Sequence, residues 1–243
     1  MKYNKIVHGQ FFARPNRFIA HVWLDDRDVV SGAELMRPDG IEAPKGKSLV
    51  VVHVKNTGRC RELLLPGAEV ILEVASNPAR KTKYDLIAVY KENFGLINMD
   101  SQAPNKIAYE WLQRQEYSMI KPEYTYGDSR IDFYMERDNG NPEPERFLME
   151  VKGCTLEQDG IGYFPDAPTI RGVKHLRELT KAAKQGYHCM VTFVIQMEHV
   201  KEVRANVSMH PEFGSALEEA KAAGVEVIAL CCKVYEDEIY AKY

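Results

Sequence analysis

Asp132 stands in Ser129-Arg130-Ile131-Asp132-Phe133, and further along the chain comes Glu150-Val151-Lys152. Apolar Ile131, Phe133, Phe147, Leu148 and Val151 surround the polar positions, so both segments read as strands. A strand alternates its faces, which sends Glu150 and Lys152 to the same side. If the two strands form a hairpin, Asp132 joins them there. Two carboxylates offer hard oxygen ligands for Mg²⁺ or Mn²⁺, and a lysine beside them suits an attacking water or a strained phosphate. The chemistry outlined is metal-dependent phosphodiester hydrolysis, with Asp132, Glu150 and Lys152 as catalytic candidates. The plain alternative is a pair of solvated charges, because Glu-X-Lys is a short and common pattern.

The surrounding elements favour the site. A helical stretch over 105–116 precedes the hairpin, and a second over 171–184 follows it, with Val173, Leu176 and Leu179 at helical spacing. Then comes the apolar strand 188–195. Helix, three strands, helix, strand is the core order of the PD-(D/E)XK nuclease fold. Glu110 on the first helix and Glu123 before the Asp132 strand are candidate further metal ligands; for Glu110 a helix-surface carboxylate is nearly as good a reading. Arg130, Arg171, Lys174 and His175 are candidate phosphate contacts, and a buried, hydrogen-bonded role suits His175 about as well. Asp166 reads as a cap for the second helix or a partner for Arg171, and less readily as a metal ligand.

Residues 17 to about 98 read differently. Strands are expected over 17–24, 48–54, 68–74 and 84–90, separated by turn signals such as Pro66-Gly67 and Asn77-Pro78. Short strands at this spacing predict a small OB-like barrel. Basic clusters lie at the strand ends: Arg14 and Arg17 before Phe18, then Lys55, Asn56 and Arg59, then Arg80, Lys81 and Lys83. If the barrel gathers them they make a positive patch for nucleic acid, and taken singly each is a solvated turn. Two domains are expected, 1–90 and 91–243, although Phe94 to Ile97 suits either half. A last hairpin strand is expected over 233–240.

Net charge is −3, so nucleic-acid binding must rest on local patches and not on a global basic field. The five cysteines are odd in number and lack C-x-x-C spacing, which argues against a zinc site or a disulfide framework. Met1 to Lys5 leads into no apolar signal region and no run reaches transmembrane length, so a cytoplasmic protein is expected.

Taken in order, these segments resemble the sugar fermentation stimulation protein A family. The resemblance is carried by Arg17-Phe18-Ile19-Ala20, Asn56-Thr57-Gly58-Arg59, Arg80-Lys81-Thr82-Lys83-Tyr84, Tyr126-Gly127, Ser129 to Phe133, Glu150-Val151-Lys152, Phe164 to Ala167 and Arg171 to Leu179. It runs from about Arg14 to Leu230. The resemblance implies an OB-like N-terminal domain, a PD-(D/E)XK nuclease-like C-terminal α/β domain and DNA binding without strong sequence preference. It also implies a regulatory role in sugar (maltose) utilisation. Two segments depart from the family pattern: Val54-Lys55 replaces the usual Cys-Pro before Asn56, and 200–209 lacks the usual aromatic and proline residues. Two functions therefore follow from the residues and the resemblance together: a metal-dependent nuclease, or a non-catalytic DNA-binding regulator on a nuclease-like scaffold.

Overall fold

A computed structural model describes residues 1–56 and 58–242. The chain divides into two compact units, one of residues 1–102 with 233–239 and one of residues 103–232 with the final residues.

The first unit begins with β1 (Ile6–Asn16), β2 (Ile19–Asp25), β3 (Leu35–Met36) and β4 (Lys47–Val54), followed by β5 (Glu69–Val74), β6 (Tyr84–Lys91) and β7 (Gly95–Asn98). Their order is β3-β4-β2-β1-β5-β6-β7, and β4 also pairs in parallel with β6 through His53↔Asp85 and Val54↔Leu86. That last pairing closes β1, β2, β4, β6 and β5 into a five-stranded barrel, the OB-like fold expected. Val22, Leu24, Val50, Val52, Val70, Leu72 and Leu86 are buried and fill it. β1 was not expected as a strand. Gly9 and Pro15 interrupt its apolar pattern, and its register shifts between Phe11 and Ala13. The division between the units falls after Gln102 and not near residue 90, because β7 pairs with β6 from Ala88↔Asn98 to Lys91↔Gly95.

The second unit opens with α1 (Ala103–Leu112), β8 (Met119–Tyr126), β9 (Ser129–Arg137) and β10 (Glu145–Cys154). The short strands β11 (Leu156–Gln158) and β12 (Ile161–Phe164) lead to α2 (Ile170–Ala183), β13 (His188–Ile195) and β14 (Val203–Ala205). α3 (Pro211–Ala222), β15 (Glu226–Val234) and β16 (Ile239–Ala241) complete the chain. The main sheet runs β16-β15-β13-β10-β9-β8, with β13 parallel to both β10 and β15. β11, β12 and β14 form a small second sheet. The helix, three strands, helix, strand order read from the sequence is present. α1 ends at Leu112, short of the expected Glu116. The strand expected over 233–240 is divided between the end of β15 and β16.

Helices cover the sheet around β10. Leu148, Ile131, Val191 and Phe193 pack with Val173, Leu176 and Leu179 of α2 and with Phe213 and Leu217 of α3. From α1, Tyr109 stacks on Phe133 with ring centres 6.0 Å apart. Thr169 caps α2, its hydroxyl accepting from the Gly172 amide at 3.0 Å. Asp166, the expected cap, is separated from the helix by Pro168, and the threonine stands directly before the first turn.

Candidate active site

β9 and β10 pair antiparallel, with Met149↔Phe133 as the last rung. The next position would set Asp132 opposite Glu150. There the ladder stops, and Asp132 Oδ2 instead accepts the Val151 amide at 2.7 Å. The side chain thus takes over a backbone acceptor's task and is locked beside Glu150 of β10. Its other oxygen, Oδ1, accepts from Asn105 Nδ2 of α1 at 2.8 Å.

Glu150 lies on the face of β10 covered by α2 and is 2% exposed. Its Oε1 accepts from both Lys152 Nζ and His175 Nδ1. His175 is itself buried at 5% exposure, and its Nε2 lies 3.4 Å from the donating Nε of Arg171. Because a guanidinium can only donate, Nε2 must accept and Nδ1 must carry the proton. The resulting chain, Arg171 to His175 to Glu150, holds one carboxylate rotamer.

Burial pushes the Asp132 carboxyl up, and the Glu150 charge pushes it further; the Val151 amide, Lys152 and Asn105 offset this only in part. Burial also penalises ionised Glu150, but the hydrogen bond from His175 and the positive charge of Lys152 outweigh it, and its carboxyl is held below the usual range. Environment thus separates two neighbouring acids. Glu150 Oε2 is buried and has no hydrogen-bond partner. An orphaned carboxylate oxygen beside a second carboxylate suits a hard divalent cation, which would satisfy the one and relieve the repulsion between both.

Not every expected ligand arrives. Among the described residues no three His, Cys, Asp or Glu side chains gather at metal-binding spacing. Glu110 on α1 is therefore in no such cluster, and the residue α1 brings to Asp132 is Asn105. Glu123, at positive φ in β8, pairs with Arg130 of β9, both well exposed. Their charges compensate each other at a strand irregularity instead of facing Glu150. Lys174 Nζ donates to the Asp128 carbonyl at 2.8 Å, an exposed contact, and Arg171 serves His175.

The barrel's basic residues divide into two groups. Lys55 lies 2.9 Å from fully buried Asp100 and 3.7 Å from Glu73, and both terminal nitrogens of Arg80 reach Asp85 at 2.7 Å. Those two cations compensate buried carboxylates and are not free phosphate contacts. Lys83 Nζ is held by the Pro78 and Arg80 carbonyls. Asn56 Nδ2 donates to the Met99 carbonyl at 2.8 Å and its Oδ1 accepts the Gly58 amide at 2.7 Å, so it shapes the turn; Thr57 within that motif lies outside the described residues. Arg14 donates to the carbonyls of Arg17, Asn56 and Arg59. Arg17, Arg59 and Lys81 are exposed.

Asn105 and Arg61, which lines a cleft with Arg14, Arg17 and Arg59, carry no signal that would have singled them out in the sequence. No described helix is long and apolar enough to cross a membrane.

Residues 12–99 match the profile of the SfsA N-terminal OB domain, and residues 102–238 that of the sugar fermentation stimulation protein RE domain. A sugar fermentation stimulation protein homolog from Desulfitobacterium hafniense (strain Y51) is 48% identical over 244 residues, covering 99% of this chain and 95% of its own. One from Clostridium beijerinckii is 46% identical over 243 residues, covering 98% and 96%. Among solved structures, Pyrococcus furiosus SfsA in complex with Ca²⁺ is similar with a TM-score of 0.77 at 25% identity, covering 100% of this chain and 95% of its own.

Proposed function

This chain belongs to the sugar fermentation stimulation protein family, and from that premise we propose that it binds DNA without strong sequence preference and cleaves it as a metal-dependent phosphodiesterase. The observation that carries the proposal is the orphaned Oε2 of Glu150, whose other oxygen takes Lys152 and whose charge raises the neighbouring Asp132 carboxyl. The relative from Pyrococcus furiosus was solved with Ca²⁺, which supports a hard-cation site on this fold.

Asp132 and Glu150, with a backbone carbonyl near Val151, would hold Mg²⁺ or Mn²⁺. Such a cation, when bound, lowers the pKa of a coordinated water and stabilises charge on the phosphate. Two carboxylates are enough, since Mg²⁺ commonly completes its shell with water and substrate phosphate. Lys152, now paired with Glu150, has the ammonium that holds the attacking water or meets charge developing on the pentacovalent phosphate. His175 and Arg171 keep Glu150 in its rotamer, and Asn105 does the same for Asp132.

One observation favours a second reading, a DNA-binding regulator of sugar utilisation without turnover: no third acid joins Asp132 and Glu150 among the described residues. The experiment that separates them is cleavage of single-stranded, duplex and branched DNA with Mg²⁺ or Mn²⁺, with binding followed in the same samples. Lys152→Ala and Asp132→Asn are expected to abolish cleavage and keep binding. Binding without cleavage of any substrate by the wild-type protein would leave only the second reading.

A further inference from the structure

The barrel carries a cleft of about 330 Å³ lined by Arg14, Asn16, Arg17, Arg59 and Arg61. None of its described lining residues is acidic, although the whole chain has a net charge of −3. Arg14 organises it. Its Nη1 donates to the Arg59 carbonyl at 2.7 Å, and its Nη2 to the Arg17 and Asn56 carbonyls at 2.7 and 2.8 Å. One guanidinium thus ties the β1–β2 turn to the segment after β4. Carbonyls accept from both of its terminal nitrogens without neutralising its charge, and its Nε is buried with no hydrogen-bond partner. Arg17, Arg59 and Arg61 are exposed, and their side chains make no hydrogen bond or ion pair among the described residues. Holding these charges together without a counterion opposes folding and is relieved by an anion. Guanidinium forks match phosphate oxygens in pairs.

The same turn presents a ring. Asn16 Oδ1 accepts the Phe18 and Ile19 amides at 2.9 and 3.1 Å, fixing the turn, and Phe18 beside Arg17 is left 52% exposed. A large exposed aromatic loses nothing to water when it gains a flat apolar partner. Bases in a duplex have their faces stacked on one another, so only an unpaired base can offer one.

From the cleft and the ring together we infer that this face of the barrel is a single-strand subsite, taking a backbone phosphate between the arginines and an unpaired base on Phe18. The inference rests on the DNA-binding reading above and names the form of DNA that the barrel selects.

The test is fluorescence anisotropy with labelled oligothymidylate and with a hairpin duplex of equal length, over a salt series and without added metal. Wild type, Phe18→Ala, Phe18→Trp and Arg59→Ala are compared, and thermal melts check that each is folded. The single strand is expected to bind more tightly than the duplex. Phe18→Ala should weaken single-strand binding roughly 5- to 150-fold, the loss of one stacked base, and Phe18→Trp should keep it. Arg59→Ala should lower the slope of log affinity against log salt by about 0.7. A wild-type protein that binds the duplex at least as well, with Phe18→Ala unchanged, overturns the subsite and leaves DNA binding standing. A wild-type protein that binds neither form overturns both.

Discussion

At Glu150 a buried carboxylate takes a lysine and a histidine on one oxygen and has no hydrogen-bond partner on the other, a combination unlike a surface ion pair. The same residue types elsewhere do something plainer. Asp85 is 5% exposed, and it receives Arg80 on both oxygens and His53 Nδ1 at 2.8 Å. Burial penalises its charge, but the hydrogen bonds from Arg80 and then His53 outweigh that, so its carboxyl titrates below the usual 3.8. A depressed folded pKa means stability that is present above the unfolded value and lost as the pH falls through the folded one. Arg80→Met is expected to cost about 3 kcal/mol near neutral pH, by leaving a buried carboxylate unpaired. The difference from wild type should shrink as the pH falls through the range below 3.8, where wild-type Asp85 in turn takes up its proton. Urea melts across pH check this; a loss independent of pH would assign Arg80 a packing role instead. Lys55 reads as a phosphate contact in the sequence because Glu73 and Asp100 reach it only in the folded barrel. Arg80 does because nothing in its basic turn shows that the guanidinium folds back onto Asp85 five residues on.

Elements place the site through close approaches as well as through alternation. Gly153 follows Lys152 on β10, and a Cβ there would stand 2.5 Å from Gln196 Oε1 and 2.8 Å from Pro104 Cγ. Pro104 lies in the first turn of the helix that delivers Asn105 to Asp132, so the bare backbone at Gly153 lets α1 seat at the right depth. Gly153→Ala is expected to destabilise the protein by about 1–3 kcal/mol through overpacking. It should also weaken Mn²⁺ binding, measured by calorimetry, because the approach that holds Asp132 is disturbed. An alanine variant with unchanged melting and unchanged metal binding would show that α1 is not seated through this contact. Asp132, Glu150 and Lys152 could be read together because a hairpin is a local structure, in which alternation alone assigns the faces. Asn105 is not singled out by the sequence, and His175 stands there between a phosphate contact and the buried, hydrogen-bonded role it takes, since a helix's rotation about its axis is decided by what it packs against.

For the whole molecule, the chain's order in sequence and its order in space part company at the C-terminus. Residues 233–239 cluster with the first unit, where the Asp237 carbonyl accepts the Tyr3 amide at 2.8 Å and Glu236 accepts the Tyr90 hydroxyl at 2.8 Å. Met1 and Ile239 exchange backbone hydrogen bonds at 2.8 and 2.9 Å. A fragment ending at Gln102 loses all of these, and it is expected to be about 2–4 kcal/mol less stable than the same barrel in the full chain. Denaturant melts followed at the barrel's tryptophan, Trp23, test this; equal midpoints would mean the returning segment adds nothing. From the sequence alone came the two-unit organisation, four of the barrel's five strands, the order of elements in the second unit and the acid–lysine set. All of these rest on periodicity and local register, which neighbouring residues specify. Tertiary structure alone decided which cations are spent on Asp85 and Asp100, which side chains hold Asp132 and Glu150, where the second unit begins and which barrel arginines remain open to solvent. Apart from Arg80, which lies five residues from Asp85, these depend on partners distant in sequence, and pairing of that kind is settled only when the chain closes on itself.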